Sequence, residues 1–198
     1  MVMSIERLYS RQVPKSLNAE PTIKGARPLT LDEILNIIGQ VQHKHMVGSF
    51  VLEIRVAMDT VIRKRLVRAL TSSFMRHDGI SDGLAAAMAE QAVSESCDAN
   101  ICPKCKGNGH VFSKKQNKFN ECSRCGGVGR IVKSSVNLHK SIMSMLEPYD
   151  KMSRADWYKA YYLTYQDAVN ELNYAAGDAA SYAKKLLRQM EDYFDEAG

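Results

Sequence analysis

The sequence predicts a mainly α protein: a helical bundle with an inserted segment that contains four cysteines. Two observations support this fold class. Apolar residues recur at helical spacing behind serine and threonine caps, and one short cysteine motif occurs twice near the middle of the chain. Signals for β-strands are few.

The N-terminal part of the chain predicts an extended lead followed by two helices. Three prolines interrupt residues 1–29, where no periodicity is sustained. Thr30 and Glu33 then have the spacing of a capping box, which begins a helix. A second, long helix is expected over residues 49–77. The apolar stripe of the first helix is formed by Leu31, Ile34, Leu35, Ile38 and Val41.

Serine residues begin the next three predicted helices. Ser81 precedes a helix over 82–97, Ser134 or Ser135 begins one that ends near Leu146, and Ser153 begins one over 153–172. A sixth helix is expected over 178–194. In the helix before Leu146 the apolar stripe is predicted to contain Val136, Ile142, Met145 and Leu146.

These elements predict four segments along the chain. They are an extended lead (1–29), an N-terminal helical region (30–97), a metal-binding insertion (98–133) and a C-terminal helical region (134–198).

The insertion carries the motif C-x-x-C-x-G-x-G twice. A C-x-x-C turn brings two thiolates to one side of an ion, and two such turns complete a tetrahedron around zinc. The predicted ligands of one structural Zn²⁺ are Cys102, Cys105, Cys122 and Cys125. Two disulfides are the weaker alternative, because cysteines three residues apart rarely pair. Short strands at Val111-Phe112 and Ile131-Val132 are expected to form a ribbon beside the metal.

Four thiolate ligands leave no open coordination position, so this zinc cannot activate water. The chain also contains no P-loop, no H-E-x-x-H motif and no order of serine, histidine and aspartate typical of a hydrolase. We therefore expect a binding protein without enzymatic activity.

Charge and hydropathy indicate the partner and the compartment. The net charge is +5, and residues 102–133 are strongly basic, which is typical of nucleic-acid binding. No apolar run approaches the ~20 residues of a membrane span, and no signal peptide is evident. A cytoplasmic protein without a membrane partner is expected, with Cys97 as a small buried residue. The predicted phosphate contacts are Lys104, Lys106, Lys114, Lys115, Lys118, Arg124, Arg130 and Lys133.

The two helices that flank the insertion have features of a helix-turn-helix. Small residues in the helix over 82–97 allow close crossing, and the start of the next helix is polar. In a helix-turn-helix, the start of the second helix reaches base edges. The residues predicted to do so are Ser134, Ser135, Asn137, His139 and Lys140. Two alternatives stay open. This helix can be an ordinary amphipathic helix, or it can form the helix-turn-helix with the helix after Ser153, in which Trp157 is more simply a core residue.

The order of these features resembles the antitermination protein Q family of lambdoid phages. The shared features are the doubled motif at Cys102–Gly109 and Cys122–Arg130, the serine-rich helix start at Ser134, and the amphipathic helix with a single tryptophan after Ser153. The resemblance covers roughly residues 80–190. The same cysteine motif occurs in DnaJ-type chaperones, but these carry four copies and a His-Pro-Asp motif, and this chain has neither.

The resemblance implies a factor for transcription antitermination at phage late genes, in which a helix-turn-helix is interrupted by the zinc segment. Such a factor binds double-stranded DNA at the late promoter and then loads onto the paused bacterial RNA polymerase holoenzyme, with its sigma factor. It then suppresses pausing and termination, assisted by NusA, in the bacterial host cytoplasm. A DnaJ-like zinc ribbon that binds other proteins is the alternative.

Overall fold

The computed structural model describes residues 5–10, 29–98, 102–105, 110–113, 117–125, 131 and 133–196. The described chain is mainly helical, as predicted. Its residues fall into two compact units. One comprises Met1–Leu70 with Gln166–Gly198, and the other comprises Thr71–Tyr165. The predicted segments 30–97 and 134–198 are therefore each divided between the two units.

The first unit contains α1 (Ile5–Ser10), α2 (Leu31–Lys44), α3 (Met46–Ala57), most of α4 (Thr60–Phe74) and most of α8 (Tyr162–Glu196). The predicted capping box of α2 is present, because Thr30 Oγ1 accepts from the Glu33 N–H and Glu33 Oε2 accepts from the Thr30 N–H. The buried face of α2 consists of Ile34, Ile37, Ile38 and Val41. Leu31 and Leu35, predicted to lie in this stripe, are exposed at its edge.

Helix α1 corrects the prediction of a wholly extended lead. Leu8 and Tyr9 are fully buried, and the Tyr9 hydroxyl lies 2.9 Å from Ser49 Oγ on α3. The rest of the predicted lead, apart from Leu29, lies outside the described residues.

The single helix predicted over 49–77 is wrong, because the chain forms two helices, α3 and α4. Met58 adopts the left-handed conformation at φ 53°, which ends α3. Asp59 Oδ1 then accepts the N–H groups of Val61 and Ile62 at 2.7 and 2.9 Å. The carboxylate thus satisfies donors that the start of α4 would otherwise leave open.

Two features fix α3 within the first unit. Glu53 is buried, and its carboxylate accepts hydrogen bonds from Ser49 Oγ at 3.0 Å and from Gln42 Nε2 at 2.6 Å. Gly48 faces α8 so closely that a Cβ would lie 1.9 Å from the carbonyl oxygen of Ala175. Glycine is required there by the close approach of the two helices.

The second unit contains α5 (Asp82–Cys97), a hairpin of β1 (His110–Ser113) and β2 (Lys118–Glu121), α6 (Ser135–Ser144), a 3-10 turn (Pro148–Asp150) and α7 (Arg154–Ala160). Ser81, Ser134 and Ser153 cap α5, α6 and α7, as predicted. In each case the serine hydroxyl accepts the N–H of the residue three positions on.

Aromatic side chains form the core of the second unit at α7, in agreement with the sequence-based assignment of Trp157 to the core. Trp157 is fully buried and packs edge-on against Tyr158 and Tyr162. Tyr165 is also buried, and its hydroxyl donates to Glu95 Oε2 on α5 at 2.6 Å. Burial, followed by the nearby Glu95 carboxylate, raises the pKa of Tyr165 far above its usual value.

The predicted helices over 153–172 and 178–194 have different boundaries in the structure. The interruption lies at Tyr161, after which α8 continues from Tyr162 to Glu196. Gly177 lies within α8 and does not end the helix, and a Cβ at this position would meet no atom within 4 Å. Among the described residues, no helix is both long and apolar enough to cross a membrane.

Candidate metal centre and flanking helices

The four cysteines of the doubled motif meet at one point. Cys102 Sγ lies 3.8 Å from Cys122 Sγ, and Cys105 Sγ lies 3.7 Å from Cys125 Sγ. All four sulfur atoms lie within 4.8 Å of one another. These distances are too long for disulfides, whose sulfurs are about 2.05 Å apart. They are metal-binding distances, so the cluster is a candidate structural metal site.

Local turns and the hairpin bring the sulfurs together. Residues 103–105 and 123–125 form turns, and the Cys125 N–H donates to the Cys122 carbonyl at 3.2 Å. Each turn places its two cysteines on one side, while the β1–β2 hairpin connects the two turns. Three of the cysteines are buried, and Val111 on β1 packs against them. The cluster is thus the core of this segment, whose other described residues contribute very little apolar burial.

Backbone groups favour a thiolate at this position. Burial opposes ionisation of Cys102, but the backbone N–H groups of Cys105 and Lys104, together with the thiols of Cys105 and Cys122, donate hydrogen bonds that lower the pKa of the Cys102 thiol to about 7. Donation from Arg124 and Cys125 likewise outweighs burial and lowers the pKa of Cys122. Thiolates are the metal-binding form of cysteine, so the turns prepare the cluster for a cation.

The structure places some of the predicted phosphate contacts around the cluster. Lys104, Lys118 and Arg124 are exposed, and Lys104 Nζ also donates to Ser123 Oγ at 2.6 Å, which connects the two cysteine turns. Lys106, Lys114, Lys115 and Arg130 lie outside the described residues.

The predicted strand pairing is wrong. Val111 and Phe112 do lie on a strand, but β1 pairs with β2 in an antiparallel hairpin. Ile131 is outside any strand, and Val132 lies beyond the described part of the chain. The observed partner, β2, is nearer to β1 along the chain than residues 131–132 are. Asn117, directly before β2, adopts the left-handed conformation at φ 49°, which asparagine tolerates in turns.

The helices on either side of the metal segment, Cys102–Cys125, pack together. Helices α5 and α6 are in contact, as predicted from the small residues of α5. Lys133, predicted to contact phosphate, donates instead to Gln91 Oε1 on α5 at 3.1 Å and to Ser141 Oγ on α6 at 3.0 Å. Lys133 therefore connects the two helices.

The buried face of α6 agrees with the prediction only in part. Ile142 and Leu146 are buried as predicted, and Leu138 and Met143 are buried with them, whereas Val136 and Met145, assigned to the apolar stripe, are exposed. The i, i+4 spacing of Leu138 and Ile142 was the sequence signal for the true stripe. The exposed side carries Asn137, Lys140 and Ser144 together with Val136. Val136 and Ser144 were not among the predicted contact residues.

The remaining predicted residues of α6 lie at its start and on its buried side. Ser134 caps the helix, and exposed Ser135 accepts through its carbonyl from the Tyr158 hydroxyl at 3.1 Å. His139 was predicted to be exposed, but it is half-buried beside Trp157, and its Nε2 lies 3.2 Å from the Met152 carbonyl oxygen. His139 therefore packs against the loop before α7.

The fold and the site define a mainly helical protein with a hairpin beside a four-cysteine candidate metal centre. A family model described as conserved hypothetical protein CHP02642 matches residues 86–192, more than half of the chain. The chain therefore belongs to this family, and the match includes most of α5, the four cysteines, α6 and α7. A search of curated proteins finds no significant match.

Proposed function

We propose that the four-cysteine cluster holds one structural zinc ion. A tetrahedral zinc site with Zn–S bonds of about 2.3 Å has sulfur atoms about 3.8 Å apart. The two close sulfur pairs, at 3.8 and 3.7 Å, match this edge length. Zinc bound by Cys102, Cys105, Cys122 and Cys125 has no position for substrate, so its contribution is the folding energy of the hairpin.

We further propose that the protein binds double-stranded DNA through the exposed side of α6. The observation that supports this most is the contact between α5 and α6, with the metal segment inserted between them in the sequence. This is the arrangement expected of a helix-turn-helix whose turn is replaced by a zinc segment. Asn137 and Lys140 then lie in the first two turns of the second helix, where base contacts are made.

The contact residues divide into two groups by chemistry. Asn137 can pair with adenine through two hydrogen bonds, and Val136 can contact a thymine methyl group. Exposed Lys118, Arg124 and Lys140 suit phosphate contacts, which fix orientation without reading sequence. We leave His139 and Lys133 out of the proposed interface, because both are engaged in contacts within the unit.

The biological role that we propose is transcription antitermination at phage late genes, without enzymatic activity. Its support is the resemblance to the Q family together with the α5–metal–α6 order. The proposed partners are late-promoter DNA, the bacterial RNA polymerase holoenzyme with its sigma factor, and NusA, in the cytoplasm of the host.

Run-through of a terminator tests this role. Purified polymerase holoenzyme and NusA transcribe a candidate late-promoter template with a downstream terminator, with and without the protein. We expect read-through to rise only on templates that retain the promoter-proximal DNA element. Equal termination with and without the protein on every template would refute antitermination.

DNA binding is tested separately by titration at several salt concentrations. Changing Lys118 and Arg124 to glutamate is expected to weaken binding to all duplexes, and each lost phosphate contact reduces the slope of log K against log salt by ~0.9. Asn137→Ala is expected to cost roughly 1–3 kcal/mol at one base position. If both variants gave the same uniform loss, the assignment of α6 to the groove would be wrong.

A further inference from the structure

The exposed face of α4 is positively charged. Lys64, Arg65 and Arg68 are exposed, whereas Leu66, on the other side of the helix, is buried. Residues three and four positions apart are neighbours on a helix, so Lys64 and Arg65 both lie beside Arg68. Helix α4 contains no aspartate or glutamate that could offset these charges. The face therefore presents three adjacent cations to solvent.

The contacts of the first unit do not account for these cations. Like charges at this spacing destabilise a helix. The acid just before α4 is Asp59, and its carboxylate accepts the N–H groups at the start of the helix. In the part of the chain that the structure describes, no acidic side chain forms an ion pair with Lys64, Arg65 or Arg68. Their positive charge is therefore available to an anion from outside the chain.

A second set of cations in the first unit, with the same spacing, differs in one respect. Lys184, Lys185 and Arg188 are exposed on α8. In the sequence of α8, Glu191 and Asp192 follow Arg188 at the distances where opposite charges are neighbours on a helix. Helix α4 offers its cations no such partner, so the face of α4 is the stronger candidate for binding a polyanion.

The spacing of the cations on α4 favours nucleic acid as that polyanion. The rise from Lys64 to Arg68 is about 6 Å, so a partner must place several anions close together. Duplex DNA does so, with one permanently ionised phosphate per ~1.7 Å of its axis. Carboxylates crowded as closely on a protein surface repel one another, which raises their pKa values and lowers their charge.

A lipid surface fits α4 less well. A helix that lies on a membrane inserts an apolar face with several large side chains beside its cations. Val61 is the one large apolar side chain exposed on α4. The exposed face of this helix is therefore suited to electrostatic contact rather than to insertion.

We propose that Lys64, Arg65 and Arg68 bind the phosphate backbone of duplex DNA. The inference rests on the proposed DNA binding for the identity of the polyanion, and it adds a contact in the first unit, whereas α6 belongs to the second. Arginine matches phosphate with two parallel hydrogen bonds, and lysine adds a point charge. Phosphate contacts carry no sequence information, so α4 strengthens binding to every duplex, and α6 reads bases.

Titration of the zinc-loaded full chain with labelled duplexes at several salt concentrations tests this contact. One duplex has a random sequence and the other contains the candidate element. The combined variant Lys64→Gln, Arg65→Gln and Arg68→Gln should bind both duplexes at least tenfold more weakly at ~0.1 M salt. The slope of log K against log salt should fall by ~0.9 for each lost contact, which is ~2.7 for all three.

Two matched variants separate a local contact from net charge and from helix stability. Lys184→Gln, Lys185→Gln and Arg188→Gln together remove the same charge from α8 and should leave the affinity and the slope near wild type. Lys64→Arg, Arg65→Lys and Arg68→Lys together keep the charge of α4 and should keep the slope. Glutamine has a helix propensity close to that of lysine and arginine, and circular dichroism verifies that α4 remains helical.

An unchanged slope in the neutralised α4 variant, with duplex bound by the wild type, would overturn the contact and leave the proposed role of α6 standing. Equal weakening by the α4 and α8 variants would also overturn it, because net charge alone would then act. A wild type that binds no duplex would refute both proposals. Anionic phosphatidylserine vesicles and polyglutamate serve as further probes. If neutralising α4 weakened binding of either probe but not of duplex, the partner would be a lipid or an acidic protein, and the inference would be wrong.

Discussion

The metal segment, Cys102–Cys125, and the α2–α3 pair of the first unit are stabilised in different ways. In α2, Ile34, Ile37, Ile38 and Val41 are removed from water along one helix face. Among the described residues of the metal segment, the buried side chains are mainly the cysteines themselves, with Val111 against them. Apolar burial stabilises the helices, whereas a short basic hairpin has too little apolar surface to fold on that basis.

In the metal segment, the residues that stabilise the fold are different from the residues that form its surface. A hairpin with a metal as its core needs few apolar residues inside, so its outer positions can be lysines, arginine and exposed aromatic rings. The helices have less freedom, because every third or fourth residue is required for burial. A charged contact surface is therefore easier to place on the metal segment.

The largest expected effect comes from removing one metal ligand. Cys105→Ser should abolish metal binding and the order of the hairpin, because apparent metal-binding energies of about 10 kcal/mol or more contribute to folding at such sites. The helical signal of α2, α3 and α8 should persist, since these helices contain none of the four cysteines. Metal content, circular dichroism and limited proteolysis measure the three responses.

Cys97→Ala provides the control for this variant. Cys97 is buried on α5 and is outside the four-cysteine cluster, so its replacement should leave the metal content unchanged. A complete loss of helical signal in Cys105→Ser would contradict the comparison, because it would show that the helices also depend on the metal.

The second prediction concerns packing in the first unit. Gly48→Ala should destabilise the protein by about 3 kcal/mol or more, because the new Cβ would lie 1.9 Å from the Ala175 carbonyl oxygen. Gly39→Ala is the matched control, since its Cβ would meet no atom within 4 Å. It should stabilise α2 by roughly 0.5–1 kcal/mol. Denaturant unfolding of both variants tests the pair, and equal stabilities would exclude the close approach.

Sequence reasoning was most reliable where one residue type has one physical role. The Thr30 and Ser81 caps and the grouping of the four cysteines follow from local chemistry, and the structure contains all of them. The core position of Trp157 follows from its size and apolar character.

It was least reliable where a distant contact or a single backbone angle decided the result. The left-handed conformation of Met58 divides a helix whose apolar pattern continues across it. His139 reads as a polar surface residue until the loop at Met152 packs against it. The contact between Phe112 on β1 and Phe119 on β2 depends on the register of the hairpin, and this register cannot be predicted from either strand alone.

A third prediction concerns pH and the buried hydroxyl of α1. Burial, partly offset by the hydrogen bond to Ser49, raises the pKa of Tyr9 to about 12 from its ordinary value near 10. Below pH 10 the phenol is neutral in both folded and unfolded states, so its contribution is fully present. Between pH 10 and 12 only the unfolded state ionises, and stability should fall by up to about 1.4 kcal/mol per pH unit.

Tyr9→Phe isolates this contribution. The variant should be less stable at neutral pH by about 1 kcal/mol, because Ser49 loses a buried partner. Its stability should then fall less steeply than that of the wild type when pH is raised from 9.5 to 11. Parallel pH profiles of the two proteins in denaturant unfolding would show that Tyr9 ionises as readily as an exposed tyrosine.

The smallest expected effect concerns the cap of α6, the helix that follows the metal segment in the sequence. Ser134 accepts the Asn137 N–H at 3.4 Å, so Ser134→Ala should cost about 1 kcal/mol of stability. Thr30→Ala, which removes the cap of α2, is the matched change in the first unit. If the metal stabilises the metal segment and apolar burial stabilises the helices independently, both variants should retain full metal content. Release of metal from Ser134→Ala alone would instead show that α6 and the metal segment fold as one cooperative element, because loss of one weak hydrogen bond at the helix end would then weaken metal binding.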